Sequence, residues 1–84
     1  MPRITYSREA QRSLEGLDVG IRRRVDQRIE VLARGQIQGK GLHYEFAGIF
    51  SLRVGDWRVL YRQLEPDLLE IVAVAHRREV YRQR

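Results

Sequence analysis

The chain has 84 residues, room for one domain and none for a second. A hydrophobic fraction of 43% supports a core and excludes global disorder, while no apolar run approaches the ~20 residues that cross a bilayer. With 16 Lys+Arg against 11 Asp+Glu the formal charge is +5, which points to a polyanionic partner, nucleic acid or acidic protein.

Arg3-Ile4-Thr5-Tyr6 alternates polar and apolar residues and predicts a short first strand. Ser7 stands where a helix N-cap belongs, its hydroxyl able to satisfy an orphan N–H. Ala10, Leu14 and Leu17 follow at helical spacing. Gly16 and Asp18 interrupt, with Asp18 placed to cap a second helix whose stripe is Ile21, Val25, Ile29 and Leu32. Arg22, Arg23, Arg24, Arg28 and Glu30 surround that stripe, and Gly35 is a C-terminal stop. Residues 36–41 read as loop.

The period then changes to two. Leu42–Phe46 alternates, and Ala47-Gly48 turns. Ile49–Val54 is a strand with Phe50, Leu52 and Val54 on one face and Ser51 and Arg53 on the other. After the Gly55-Asp56 turn, Trp57, Val59 and Tyr61 return on the core side with Arg58, Leu60 and Arg62 opposite. Pro66-Asp67 turns again, and Leu69–Ala75 is apolar enough for a strand in mid-sheet. His76–Arg82 reads as a basic tail of one or two helical turns. The expected fold is a single α+β domain over residues 1–84, β-α-α-β-β-β-β with a short C-terminal helix. An antiparallel twisted sheet carries the helical hairpin on one face and leaves the other partly open.

That open face is where charge gathers. All basic residues except Lys40 are arginine, a permanently charged fork that matches phosphate oxygens. Alternation puts Arg53 and Arg58 together on the face away from the core, with His76, Arg77, Arg78 and Tyr81 expected to join them from the next strand and the tail. Such a patch suits a phosphodiester held while a base stacks. Each residue also has a plain reading: Arg53 pairing Asp56 across the turn, Arg62 a solvated strand residue, His76 structural, Tyr81 packing the tail, and Trp57 and Tyr61 core. Arg58, between apolar neighbours on a central strand, needs either an acid partner or a ligand anion. Glu45 is a weak base candidate. Zero Cys and only His43 and His76 leave no metal centre in the pattern, and no cofactor motif is present. No apolar signal stretch opens the sequence, so a cytoplasmic protein without membrane contact is expected.

Leu52-Arg53-Val54-Gly55-Asp56-Trp57-Arg58-Val59-Leu60-Tyr61-Arg62, followed by Val74-Ala75-His76-Arg77-Arg78-Glu79-Val80-Tyr81, resembles the RelE/ParE superfamily of bacterial and archaeal toxins. The resemblance spans essentially the whole chain and implies a RelE-like fold, a cognate antitoxin, and operator DNA met only through the toxin–antitoxin complex. In the RelE branch it implies a ribosome-dependent, metal-independent mRNA endonuclease, in which the 2′-OH attacks the adjacent phosphate in the ribosomal A site. Arg58 then matches the arginine on the scissile phosphate, Arg77 or Arg78 a leaving-group or phosphate contact, Tyr81 the residue that orients the nucleotide, and His76 a proton donor. Arg53, Lys40 and Arg62 would bind RNA. Where the best-studied RelE pattern has lysines on the strand before the hairpin, this sequence has Ile49 and Ser51. The alternatives are a ParE-like inhibitor that blocks DNA gyrase by binding, and an inactive, regulatory antitoxin-binding partner.

Overall fold

The computed structural model describes residues 3–42 and 47–76. Two helices lie on one face of a five-stranded sheet of order β1-β5-β4-β3-β2. Strand β1 is Arg3–Tyr6, β2 Lys40–Gly41, β3 Phe50–Val54, β4 Trp57–Glu65 and β5 Leu68–His76, with helices α1 (Arg8–Glu15) and α2 (Val19–Ala33) between β1 and β2. The predicted α+β class, the helical hairpin and the meander are all present. The sheet, however, is mixed: β2 to β5 pair antiparallel, while β1 pairs β5 in parallel, with Ile4 opposite Leu69 and Tyr6 opposite Ile71. The two-helix connection carries the chain from β1, at one edge, across the sheet to β2 at the other. β1 can therefore take a direction that no hairpin imposes.

Ser7 fixes the junction between β1 and α1. Its Oγ accepts from the Ala10 N–H at 3.0 Å and donates to the Val72 carbonyl at 2.6 Å, and its own N–H donates to the Ile71 carbonyl. One hydroxyl thus caps a helix and ties it to mid-sheet. Asp18 is the N-cap of α2, but its side chain makes no capping hydrogen bond. At the far end Gly35 (φ 74°) ends the helix in a Schellman arrangement, its N–H donating to the Leu32 carbonyl and that of Gln36 to the Val31 carbonyl.

Ala10 and Leu14 from α1, and Val25, Ile29 and Leu32 from α2, pack on Leu52, Val54, Val59, Tyr61, Ile71 and Val74 of the sheet. Val25, Val59 and Ile71 are fully buried at its centre. Tyr6 is half-buried against α2, and its phenol is pushed above its ordinary value of 10.0, first by desolvation and then by the nearby Asp26 carboxylate.

Strand β2 begins earlier than its pattern suggests, at Lys40, inside the stretch that reads as loop. The glycines there mask the signal, but Gly39 is held by its N–H donating to the Tyr61 hydroxyl at 2.6 Å, which starts the pairing with β3. Residues 43–46, including His43 and Glu45, lie outside the described residues, as does the expected C-terminal helix beyond His76. Strand β4 runs three residues longer than expected, with Leu64 inserted as an irregularity and 44% exposed.

Candidate nucleic-acid interface on the open sheet face

The face away from the helices is built from residues that alternate with the core. Lys40, Ser51, Leu60 and Ala73 form one row across β2 to β5, and Arg53, Arg58 and Ala75 the next. Arg58 sits on the central strand of the second row, half-buried, with β5 contributing only small side chains beside it. Its Nη1 donates weakly to the Trp57 carbonyl at 3.4 Å, and among the described residues it has no carboxylate partner. Of the two roles open to Arg58 from sequence, an internal ion pair is not formed with any acid among the described residues, which leaves the guanidinium open on that side to an external anion.

Arg53 is opposite Arg58 in the ladder. It does not pair with Asp56. Its Nε donates to the Gly55 carbonyl at 3.2 Å, which pins the side chain to the hairpin turn. Two permanent cations face each other across one strand pair, an arrangement that costs energy until an anion joins it. Lys40 is exposed at the edge of the same face. Arg62 stands differently: its Nε donates to the Glu70 carboxylate at 2.7 Å in a cross-strand pair. Its charge is already engaged by an acid of the neighbouring strand, which Arg53 and Arg58 lack among the described residues.

The structure separates His76 from Arg58. His76 is opposite Trp57, and its ring lies edge-on to the indole with centroids 5.5 Å apart and planes at 82°. Trp57 packs on the core, so the imidazole is on the helix side of the sheet while Arg58 is on the other. The cause is a bulge in β5: Leu60 is opposite Ala73 and Tyr61 opposite Ile71, leaving Val72 as an extra residue. Counting by twos from the buried Ile71 sends His76 to the open face. The extra residue sends Ala73 and Ala75 there instead. Arg77, Arg78 and Tyr81 lie outside the described residues.

A second cationic feature escaped the sequence reading. Arg24 and Arg28 of α2 line an open cleft of about 500 Å³ against the β3–β4 turn, together with Gln27, Arg53, Val54 and Gly55. The available signal was their i,i+4 spacing without an intervening acid on the same stripe. Among the described residues no group of three His, Asp or Glu side chains is placed to hold a metal ion, and no helix is long and apolar enough to cross a membrane.

Comparison with known proteins gives this geometry a context. The family model for the ParE toxin of type II toxin–antitoxin systems, parDE, matches residues 4–81. Among solved structures, the RelBE2 toxin–antitoxin complex of Mycobacterium tuberculosis is similar at 31% identity and a TM-score of 0.77, over 90% of this chain and 99% of that one. The RelB–RelE complex of Methanococcus jannaschii (17% identity, TM-score 0.73, 95% and 98% covered) shares the fold. So does the E. coli RelBE complex (10%, 0.74, 90% and 96%). A search of curated proteins finds no match.

Proposed function

Because the chain belongs to the ParE toxin family of type II toxin–antitoxin systems, within the RelE/ParE superfamily, we propose that it halts growth by cutting mRNA in the ribosomal A site and is held in check by a cognate antitoxin. The observation that carries this reading is Arg58, a half-buried guanidinium at the centre of the open sheet face with no acid partner among the described residues. Attack of a ribose 2′-OH on the neighbouring phosphate builds a dianionic phosphorane, and a fixed guanidinium stabilises that charge as it develops. Arg53 opposite adds a second cation along the backbone.

Arginine stays protonated, so Arg58 supplies charge and orientation, not proton transfer. Arg77, Arg78 and Tyr81 are the candidates for the remaining contacts. His76, on the far face against Trp57, is assigned a packing role in place of proton donation. Dependence on the ribosome fits such a site: a ribosome that holds the mRNA bent into the in-line geometry supplies by positioning what a base-poor site lacks.

The test is brief induction followed by mapping of new mRNA 5′ ends. Wild type should generate cuts within codons and Arg58→Ala none, with cleavage on programmed ribosomes falling about 10²–10³-fold for loss of one charge-stabilising donor. Intact mRNA with wild-type protein on programmed ribosomes would reject the reading. One observation favours a second reading, inhibition of DNA gyrase by binding: the described part of the open face offers cations but no acid–base group beside Arg58. Blocked supercoiling with uncut mRNA would establish it.

A further inference from the structure

Besides the open face, the molecule carries the cleft between α2 and the β3–β4 turn, and its electrostatics are one-sided. Arg24, Arg28 and Arg53 line it, and no acid among the described residues does. Other arginines of the same region are neutralised locally, Arg22 by Asp26 and Arg34 by Glu30, each at i,i+4. Arg24 and Arg28 have the same spacing from each other and no ion pair among the described residues. Like charges so spaced weaken a helix. One of the three guanidiniums is also held by the turn, and a second lies beside it. Arg53 donates to the Gly55 carbonyl, and the Arg24 Nη2 lies only 3.3 Å from where a side-chain carbon on Gly55 would stand.

We infer that this cleft is a second phosphate-binding site, which takes the backbone of a single RNA strand whose neighbouring linkage lies at Arg58. Arg53 connects the two, being opposite Arg58 in the ladder while lining the cleft at the hairpin end. Among the described residues strand β2 pairs only Phe50 and Ser51 of β3, and residues 52–54 have no ladder partner on that edge, around which a single RNA strand can pass. A run of phosphates suits the site better than an acidic side chain. Three guanidiniums present many more N–H donors than the roughly four lone-pair positions of one carboxylate accept. The inference rests on the protein acting on RNA, but the measurement below is of binding alone.

The probe is a labelled single-stranded RNA of about 15 nucleotides, bound to the full-length toxin made by cell-free translation and followed by anisotropy across a salt series. Each phosphate contact contributes about 0.7 to the slope of log K against log salt for single strands. Arg24→Gln/Arg28→Gln should therefore lower the slope by about 1.4 and weaken binding about tenfold at low salt. Arg12→Gln/Arg23→Gln, with the same charge change elsewhere on the helices, should leave the slope near wild type. An unchanged slope in the cleft variant overturns the inference, as does an equal fall in the control, which marks bulk charge. A cleft variant that loses affinity for a poly-glutamate peptide but not for RNA also overturns it, in favour of an acidic protein segment. Intact mRNA with wild-type protein on programmed ribosomes, beside a slope that senses Arg24 and Arg28, would reject the nuclease reading and keep the cleft.

Discussion

At the scale of single residues, Arg58 and His76 form a pair whose fates part at the sheet. Arg58 belongs to the first stretch of the family pattern and His76 to the second, yet one faces outward and the other packs against Trp57. His76→Ala should cost about 0.5–1.5 kcal/mol of stability through the lost ring contact and leave mRNA cleavage on ribosomes within a few-fold of wild type. Arg58→Ala should do the reverse, melting near wild type while toxicity disappears. Ser7 tests a different kind of leverage. Ser7→Ala removes the cap on Ala10 and leaves the Val72 carbonyl without its 2.6 Å donor, so a loss of about 1–3 kcal/mol is expected in urea unfolding. Tyr6 supplies the alkaline limit. Its folded phenol titrates above 10.0, so the stability it contributes is complete below that value and is lost as pH rises through the raised one. Asp26→Asn removes the lesser of the two causes, and tyrosinate absorbance of the folded protein should then begin at lower pH.

Among the elements, legibility followed local period. β1, both helices and the β3–β4 and β4–β5 hairpins could be read from apolar spacing and turn residues, because each is decided within a few residues of itself. β2 could not. Its Lys40-Gly41 pairing depends on Tyr61, 22 residues away, whose hydroxyl accepts the Gly39 N–H. A side-chain carbon at position 39 would stand 2.7 Å from the Tyr61 ring and 2.9 Å from the Ser51 carbonyl. Gly39→Ala should consequently loosen β2 and lower the melting temperature by more than Gly35→Ala, which meets open space and carries only the positive-φ cost of about 1–2 kcal/mol. Hydrogen exchange at Gly41 and Leu42 would locate the damage. The bulge in β5 was equally hidden, since Leu69–Ala75 is apolar on both faces and gives no alternation from which to count. The arginines of the site were visible, whereas the side of the sheet taken by the residue that was to assist them was not.

Over the whole molecule, charge is sorted by hairpin. The acids near the β4–β5 turn are engaged, Glu65 and Asp67 with Arg3 and Glu70 with Arg62. The β3–β4 end keeps Arg24, Arg28, Arg53 and Arg58 without acid partners among the described residues. An acidic antitoxin segment should approach from that end, and its association rate should fall steeply with salt while the dissociation rate changes little. Rapid-mixing kinetics at several ionic strengths would read this directly. The inserted Val72 then takes on a meaning beyond its own strand. The odd–even count of everything after it in β5 hangs on one amino acid, so the same integer that sends Val74 into the core keeps two alanines beside Arg58. Excising Val72 leaves every later residue on its present side. A strand that took Val72 into the ladder without a bulge would instead exchange those roles in a single step, evicting Val74 from the interior and walling the arginine in with a branched side chain and an imidazole.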